Sequence, residues 1–377
     1  VGKNVATTRG SVVFRSELIE LIQYEPTTPS VRERPLLIVP PWVNKYYILD
    51  LQPANSFVKF ATDNGLQTFV ISWRNPDKSH AAIDFEDYLF SAVAAARIVC
   101  EIAGTQDLNE IGYCIGGTLT AMQLAYLAKT DPSLVHAATL FATLTDFSQA
   151  GDIASLLETQ TVAQIESDLD TEGIFAAQKM SDAFNSLRAN DLVWNVAVDR
   201  YLLGKPAPAH DLLFWNADAT AMPAAMHAYY LRNMYVRNAL AKGELAVDGV
   251  PIDLGAIAND VYLVAPVADH IAPWKSVYKL RDLVSADVRF RLGRSGHIAG
   301  IINPPGSGKG GYWKNDAVAV ESPEAWLAGA IEVQGSWWPD WLAWVLERSG
   351  SEVARPSDLG SQKYPVLGEA PGTYVFG

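Results

Sequence analysis

Gly112-Tyr113-Cys114-Ile115-Gly116-Gly117 is a G-x-C-x-G pattern lying between an apolar run and a helix-like segment. Small residues two before and two after a nucleophile suit a tight, strained strand-to-helix turn, where a Cβ would collide with the neighbouring strand or helix. A helix starting at Ile115 aims its free N–H groups at the sulfur and favours the thiolate. Cys114 is therefore the candidate nucleophile of a covalent acyl transfer. Taken by itself, G-x-C-x-G is weak, and its bland reading is a buried structural cysteine; the strand-turn-helix setting weighs against that. Cys100, inside the apolar stretch Ala92 to Ile102, fits the bland role.

An elbow nucleophile of this kind belongs to the α/β-hydrolase fold, which orders its triad as nucleophile, acid, histidine. Asp269 lies in Pro266-Val267-Ala268-Asp269-His270, just after the apolar run Val261 to Ala265. That is the C-terminal end of an expected strand, where catalytic groups of open α/β sheets collect. His297 follows the run Val288 to Leu292 in Gly293-Arg294-Ser295-Gly296-His297, whose glycines let a loop carry it over the sheet edge. His270 competes for the role of base, but beside Asp269 it would struggle to bond that carboxylate and also reach Cys114. It is expected to help fix Asp269. The oxyanion hole should combine the N–H of Ile115 with one from Val39-Pro40-Pro41-Trp42-Val43-Asn44-Lys45. Two prolines lack an N–H, so the donor is Trp42 or later, and Val43 is the choice; the alternative is that this loop is simply a rigid turn.

The elements that must position these residues follow the same rhythm. Strands are expected at Leu36 to Pro40, Thr68 to Trp73, Asn109 to Tyr113, Ala137 to Thr143, Val261 to Ala265 and Val288 to Leu292. Helices are expected over Phe85 to Ile102 and Gly117 to Ala128. Alternating strands and helices imply βαβ units and a mainly parallel sheet. From Asp146 to about Ala258 the sequence turns helix-like and aromatic, without clear strands, including Leu187 to Tyr201, Leu212 to Trp215 and Met226 to Leu240. This predicts a mostly helical cap inserted at about 146–258 into a core of about 1–145 and 259–377. Trp326, Trp337, Trp338, Trp341 and Trp344 are spaced to pack inward from a helix rather than to stack on a ligand.

With 49% hydrophobic and 19% charged residues in 377, the chain can bury a large core. A formal net charge of −13 argues against a nucleic-acid partner. No run is apolar enough for a membrane span, and the start shows no signal-peptide pattern, so the expected location is cytoplasmic. Two cysteines exclude a disulfide framework, and six histidines without HExxH predict no catalytic metal. His80 and Asp84 match H-x-x-x-D, but Asp84 reads as a helix cap. Gly306-Ser307-Gly308-Lys309-Gly310-Gly311 lacks the leading glycine and hydroxyl residue of a phosphate loop.

Taken together, the segments Pro40 to Leu51, Ile71 to Pro76, Gly112 to Gly117, Asn190 to Asn195, Leu213 to Asn216 and Ser295 to Gly300 resemble polyhydroxyalkanoate synthases, above all the single-subunit class acting on short hydroxyacyl-CoA. The resemblance runs nearly end to end. It implies Cys114 as nucleophile, His297 as base and Asp269 as third member. It also implies a hydroxyacyl-CoA substrate such as 3-hydroxybutyryl-CoA, CoA as product, no cofactor, a growing polyester chain, a homodimer and attachment to polymer granules. The cap, around Asp146 to Ser186, would move to admit substrate. The family's separate N-terminal domain would lie before Val1, outside this chain. Arg188 and Lys45 are the candidates for contact with the CoA phosphates. The alternative is an acyl-CoA thioesterase or polyester depolymerase of the same fold; a noncatalytic granule-surface protein would need no triad.

Overall fold

The computed structural model describes residues 1–154, 157, 159–187, 211–306, 308, 310–317 and 322–377. Strands β1 (Gly10–Arg15), β2 (Ile19–Tyr24), β3 (Leu36–Val39), β4 (Thr68–Trp73), β5 (Leu108–Tyr113), β6 (Val135–Phe141), β7 (Asp260–Pro266), β8 (Val288–Gly293), β9 (Gly311–Lys314), β10 (Ile331–Gln334) and β11 (Gly368–Glu369) join in one sheet. Its order is β10-β9-β8-β7-β6-β5-β3-β4-β2-β1-β11. The six strands from β8 to β4 pair in parallel. Antiparallel strands extend both edges.

The central strands are apolar throughout because both faces are covered. Along β3, Leu37 and Val39 pack with the helices Phe85–Ala103 and Ile115–Thr130, whereas Leu36 and Ile38 face the opposite layer. In that second layer Trp337, Trp338, Trp341 and Trp344 are buried at and along the helix Trp338–Leu346, against Phe57, Phe141 and Tyr262. The indole N–H groups of Trp337, Trp338 and Trp341 donate to Gly300 O, Ile301 O and Thr139 Oγ1 respectively. Thus the tryptophans build core and also brace the loop that carries His297.

The six expected strands and the helices Phe85–Ala103 and Ile115–Thr130 stand within two residues of their sequence-based limits. The cap between β6 and β7 differs in one respect from the expectation of no clear strands: it contains the ribbon Ile174–Phe175 with Met222–Pro223 and the hairpin Leu245–Val247 with Val250–Ile252. These strands are too short to leave a period in the sequence. Helices occupy Gly151–Ala154, Thr159–Glu172, Ala177–Leu187, Asp211–Ala217 and Ala224–Tyr230, the last running into a π-helix at Leu231–Val236. The segments Asn190 to Asn195 and 188–201, with Arg188, lie outside the described residues.

Glu110 sits buried in β5, where its carboxyl accepts hydrogen bonds from Thr120 Oγ1 and Gln123 Nε2, each 2.9 Å away. Burial pushes its pKa up to about 8, against the two hydrogen bonds that lower it. The folded value exceeds the unfolded one, so the stability carried by the neutral carboxyl is full below the unfolded value of about 4.5 and is lost as pH rises through about 8. Glu110→Gln should therefore flatten the fall in urea midpoint between these pH values, gaining roughly 1–3 kcal/mol over the wild type in mild alkali. Parallel pH profiles for the two proteins would contradict this.

Candidate active site

The position of Cys114 is built by β5 ending directly against the helix Ile115–Thr130. Cys114, between them, has φ 55° and ψ −122°, a region costly for a residue with a Cβ. Its N–H donates to Phe141 O at 2.9 Å, and its carbonyl accepts the first helical bond from Thr118. The N–H of Ile115 thus precedes the helical ladder and remains available at the sulfur's side. The glycines are required by contact. A Cβ at Gly112 would lie 2.5 Å from Gly117 Cα, one at Gly116 would strike the carbonyls of Val39 and Pro40, and one at Gly117 would strike Thr143.

Asp269 and His297 leave neighbouring parallel strands at the same sheet end. Their loops are joined by Val267 N to Gly293 O and Ala268 N to Ser295 O. Ser295, at φ 79°, turns the chain before His297. His297 Nδ1 and Asp269 Oδ2 are 2.6 Å apart, and Asp269 Oδ1 accepts from Ile271 N and Ala272 N at 2.9 Å each. That leaves Nε2 of His297 for the sulfur. Burial opposes charge on His297, yet the Asp269 carboxylate and the Cys114 sulfur, by charge and by hydrogen bonding, overcome it and hold the imidazole well above its ordinary basicity. Tyr113 adds a support with no motif to announce it: its ring stacks on His297 at 5.7 Å and its hydroxyl donates to His297 O at 3.2 Å.

The His270 carbonyl accepts from Asp152 N at 2.9 Å and ties the cap's first helical turn to the Asp269 loop. Val43 faces the same cavity as Cys114 and Ile115. The Trp42 carbonyl accepts the hydroxyl of Thr220, so the trans peptide turns the Val43 N–H the other way. Val43 O takes the N–H of Thr220 at 3.1 Å, and Trp215 Nε1 donates to Lys45 O at 2.7 Å. The cap therefore fixes this loop. Lys45 itself is buried with Nζ on Gly377 O at 2.5 Å, a poor place for a CoA phosphate.

Elsewhere, His80 is buried with Nδ1 2.9 Å from Asp77 Oδ1, and Asp84 caps the helix Phe85–Ala103. Burial pushes the Cys100 thiol up to about 11. Among the described residues, no cluster of His, Cys, Asp and Glu is placed to hold a metal ion, and no helix is long and apolar enough to cross a membrane.

In front of Cys114 lies a cavity of about 250 Å³ walled by Val43, Ile153, Phe175, Met180, Met222, Leu231 and Ile271, with His227, Tyr230 and Tyr235 among them. The cap's polar groups in this wall, like Tyr113, were not singled out by sequence reasoning. The paired tyrosines five residues apart are brought together by the π-helix, whose wider turn sets their rings 5.6 Å apart.

A sheet with parallel centre, a strained elbow and a carboxylate–histidine couple on the next strand ends define an α/β-hydrolase. The alpha/beta hydrolase fold model matches residues 34–304, and the poly-beta-hydroxybutyrate polymerase (PhaC) N-terminus model matches residues 1–61. The chain is 44% identical to the poly(3-hydroxyalkanoate) polymerase subunit PhaC of Cupriavidus necator, over 100% of this chain and 65% of that protein. It is 43% identical to poly(3-hydroxyalkanoate) polymerase 2 of Ectopseudomonas oleovorans, over 100% of this chain and 67% of that protein. A soluble variant of monoglyceride lipase from Saccharomyces cerevisiae shares the fold at TM-score 0.53 and 12% identity, covering 92% of this chain and 98% of that one. The chain belongs to the poly(3-hydroxyalkanoate) polymerase family, and spans about two thirds of the length of these two relatives.

Proposed function

We propose that this chain polymerises (R)-3-hydroxyacyl-CoA, with short units such as 3-hydroxybutyryl-CoA, into polyester by way of a thioester on Cys114. The observation that carries the reading is a cysteine at the elbow, backed by the 2.6 Å Asp269–His297 couple and opening onto an apolar cavity, in a chain whose relatives are named polymerases.

His297 takes the Cys114 proton on Nε2, and the thiolate attacks the CoA thioester carbonyl. The N–H groups of Ile115 and Val43 hold the oxyanion. The carbonyl re-forms as CoA leaves, carrying the proton from His297. One thioester has replaced another, so little free energy is lost and the bound acyl group stays activated. The hydroxyl of a second hydroxyacyl unit then gives its proton to His297, attacks the Cys114 thioester and forms an oxoester, which is downhill. Cys114 leaves as thiolate and is reprotonated. Asp269 orients the imidazole and stabilises its charge throughout. The cap's apolar wall keeps water from the thioester. Family membership supports the accompanying reading of a cytoplasmic homodimer at the surface of its polymer granule, needing no cofactor beyond the CoA of its substrate.

Hydrolysis by a thioesterase or depolymerase would use the same three side chains, and access of water decides between the reactions. Incubation with 3-hydroxybutyryl-CoA, following free CoA and product size together, is expected to give CoA with high-mass polyester. CoA with only free hydroxy acid would move the assignment to a thioesterase.

A further inference from the structure

His227 lies in the cap helix Ala224–Tyr230 and forms part of the wall of the cavity that holds Cys114. It is 5% exposed, its ring packs on Phe175 at 4.4 Å, and Nδ1 has no hydrogen-bond partner among the described residues. A buried ring nitrogen left without a partner in an apolar wall is costly unless something else bonds it. Burial pushes His227 down to about 3, so it is neutral and offers one donor and one acceptor. A neutral ring among aliphatic and aromatic side chains does not suit a carboxylate or phosphate. It suits a small uncharged group that both donates and accepts.

We propose that His227 is a specificity-determining residue that hydrogen-bonds the 3-hydroxyl of the acyl group seated in the cavity, and so selects hydroxyacyl over plain acyl thioesters. The inference rests on the polymerase reading above. An ester carbonyl only accepts, whereas a hydroxyl can pair with Nδ1 in either tautomer of the ring. A butyryl chain fills the same apolar space but leaves the imidazole unpaired, and a site built around a substrate hydroxyl rejects the analogue lacking it.

The test is the single-turnover rate of acylation of Cys114, read by intact mass, with 3-hydroxybutyryl-CoA and with butyryl-CoA. Wild type should prefer the hydroxyacyl substrate by about tenfold to a hundredfold. His227→Phe, which keeps a ring against Phe175, should lose that preference by slowing the hydroxyacyl reaction while sparing or quickening the butyryl one. His227→Leu gives the same comparison should the phenylalanine variant not fold. Equal slowing with both substrates, or an unchanged ratio, overturns the role of His227 and leaves the polymerase reading standing. Failure of the wild type to be acylated by either substrate overturns the polymerase reading, and this inference with it.

Discussion

Cys114→Ala should lose CoA release and polymer together, by at least about a thousandfold, while melting like the wild type. The expectation follows from the half-buried sulfur at the end of β5 having no substitute, since Cys100, the chain's other cysteine, is buried in the helix Phe85–Ala103. Folding should survive because alanine retains the Cβ already accommodated at φ 55°. Cys114→Ser is the sharper comparison. Serine is a weaker nucleophile than a thiolate, so the first acylation should be slowed, and its oxoester is less activated than the CoA thioester that formed it, so chain growth should nearly stop, leaving short acyl-enzyme at most. Polymer from the alanine protein at a tenth of the wild-type rate would place the nucleophile elsewhere.

Asp269→Asn should cut turnover on the order of a thousandfold and leave substrate binding much less changed. Asparagine can present either its oxygen or its amide to His297 Nδ1, and the wrong choice fixes the wrong tautomer. The change also removes the charge that offsets burial of His297, so its imidazole should lose its proton at lower pH than in the wild type. A proton NMR titration of His297 reads this directly. Linkage gives the sign for stability. The native His297 value is raised, so the pair's contribution is full below the unfolded imidazole value of about 6.5 and fades as pH climbs through the native value. The destabilisation caused by Asp269→Asn should therefore be greatest in mildly acidic solution and shrink in alkali. A variant with unchanged His297 titration would contradict the coupling.

Much of the site's framework could be read from the chain because its constraints are local. Gly112, Gly116 and Gly117 mark a turn in which each Cβ meets a named neighbour, and the apolar runs before Asp269 and His297 are strands covered on both faces. Those signals place three separated residues at one sheet end. What stayed illegible depends on partners distant in sequence. The edge strands β1, β2, β9 and β10 pair antiparallel through contacts that no helical rhythm announces, and Glu20 and Gln23 interrupt the apolar run of β2. Tyr113 reads as a core aromatic until His297 is seen stacked upon it. His227 reads as one more helix residue, since its significance lies in a partner that is missing.

The most direct test is to mix the protein briefly with 3-hydroxybutyryl-CoA, quench in acid, and map the added mass by proteolysis. Hydroxyacyl units attached through a hydroxylamine-labile bond to the peptide bearing Cys114 are predicted. Acylation confined to another residue, or high-mass polymer formed while Cys114 stays unmodified throughout turnover, would contradict a covalent route through this cysteine.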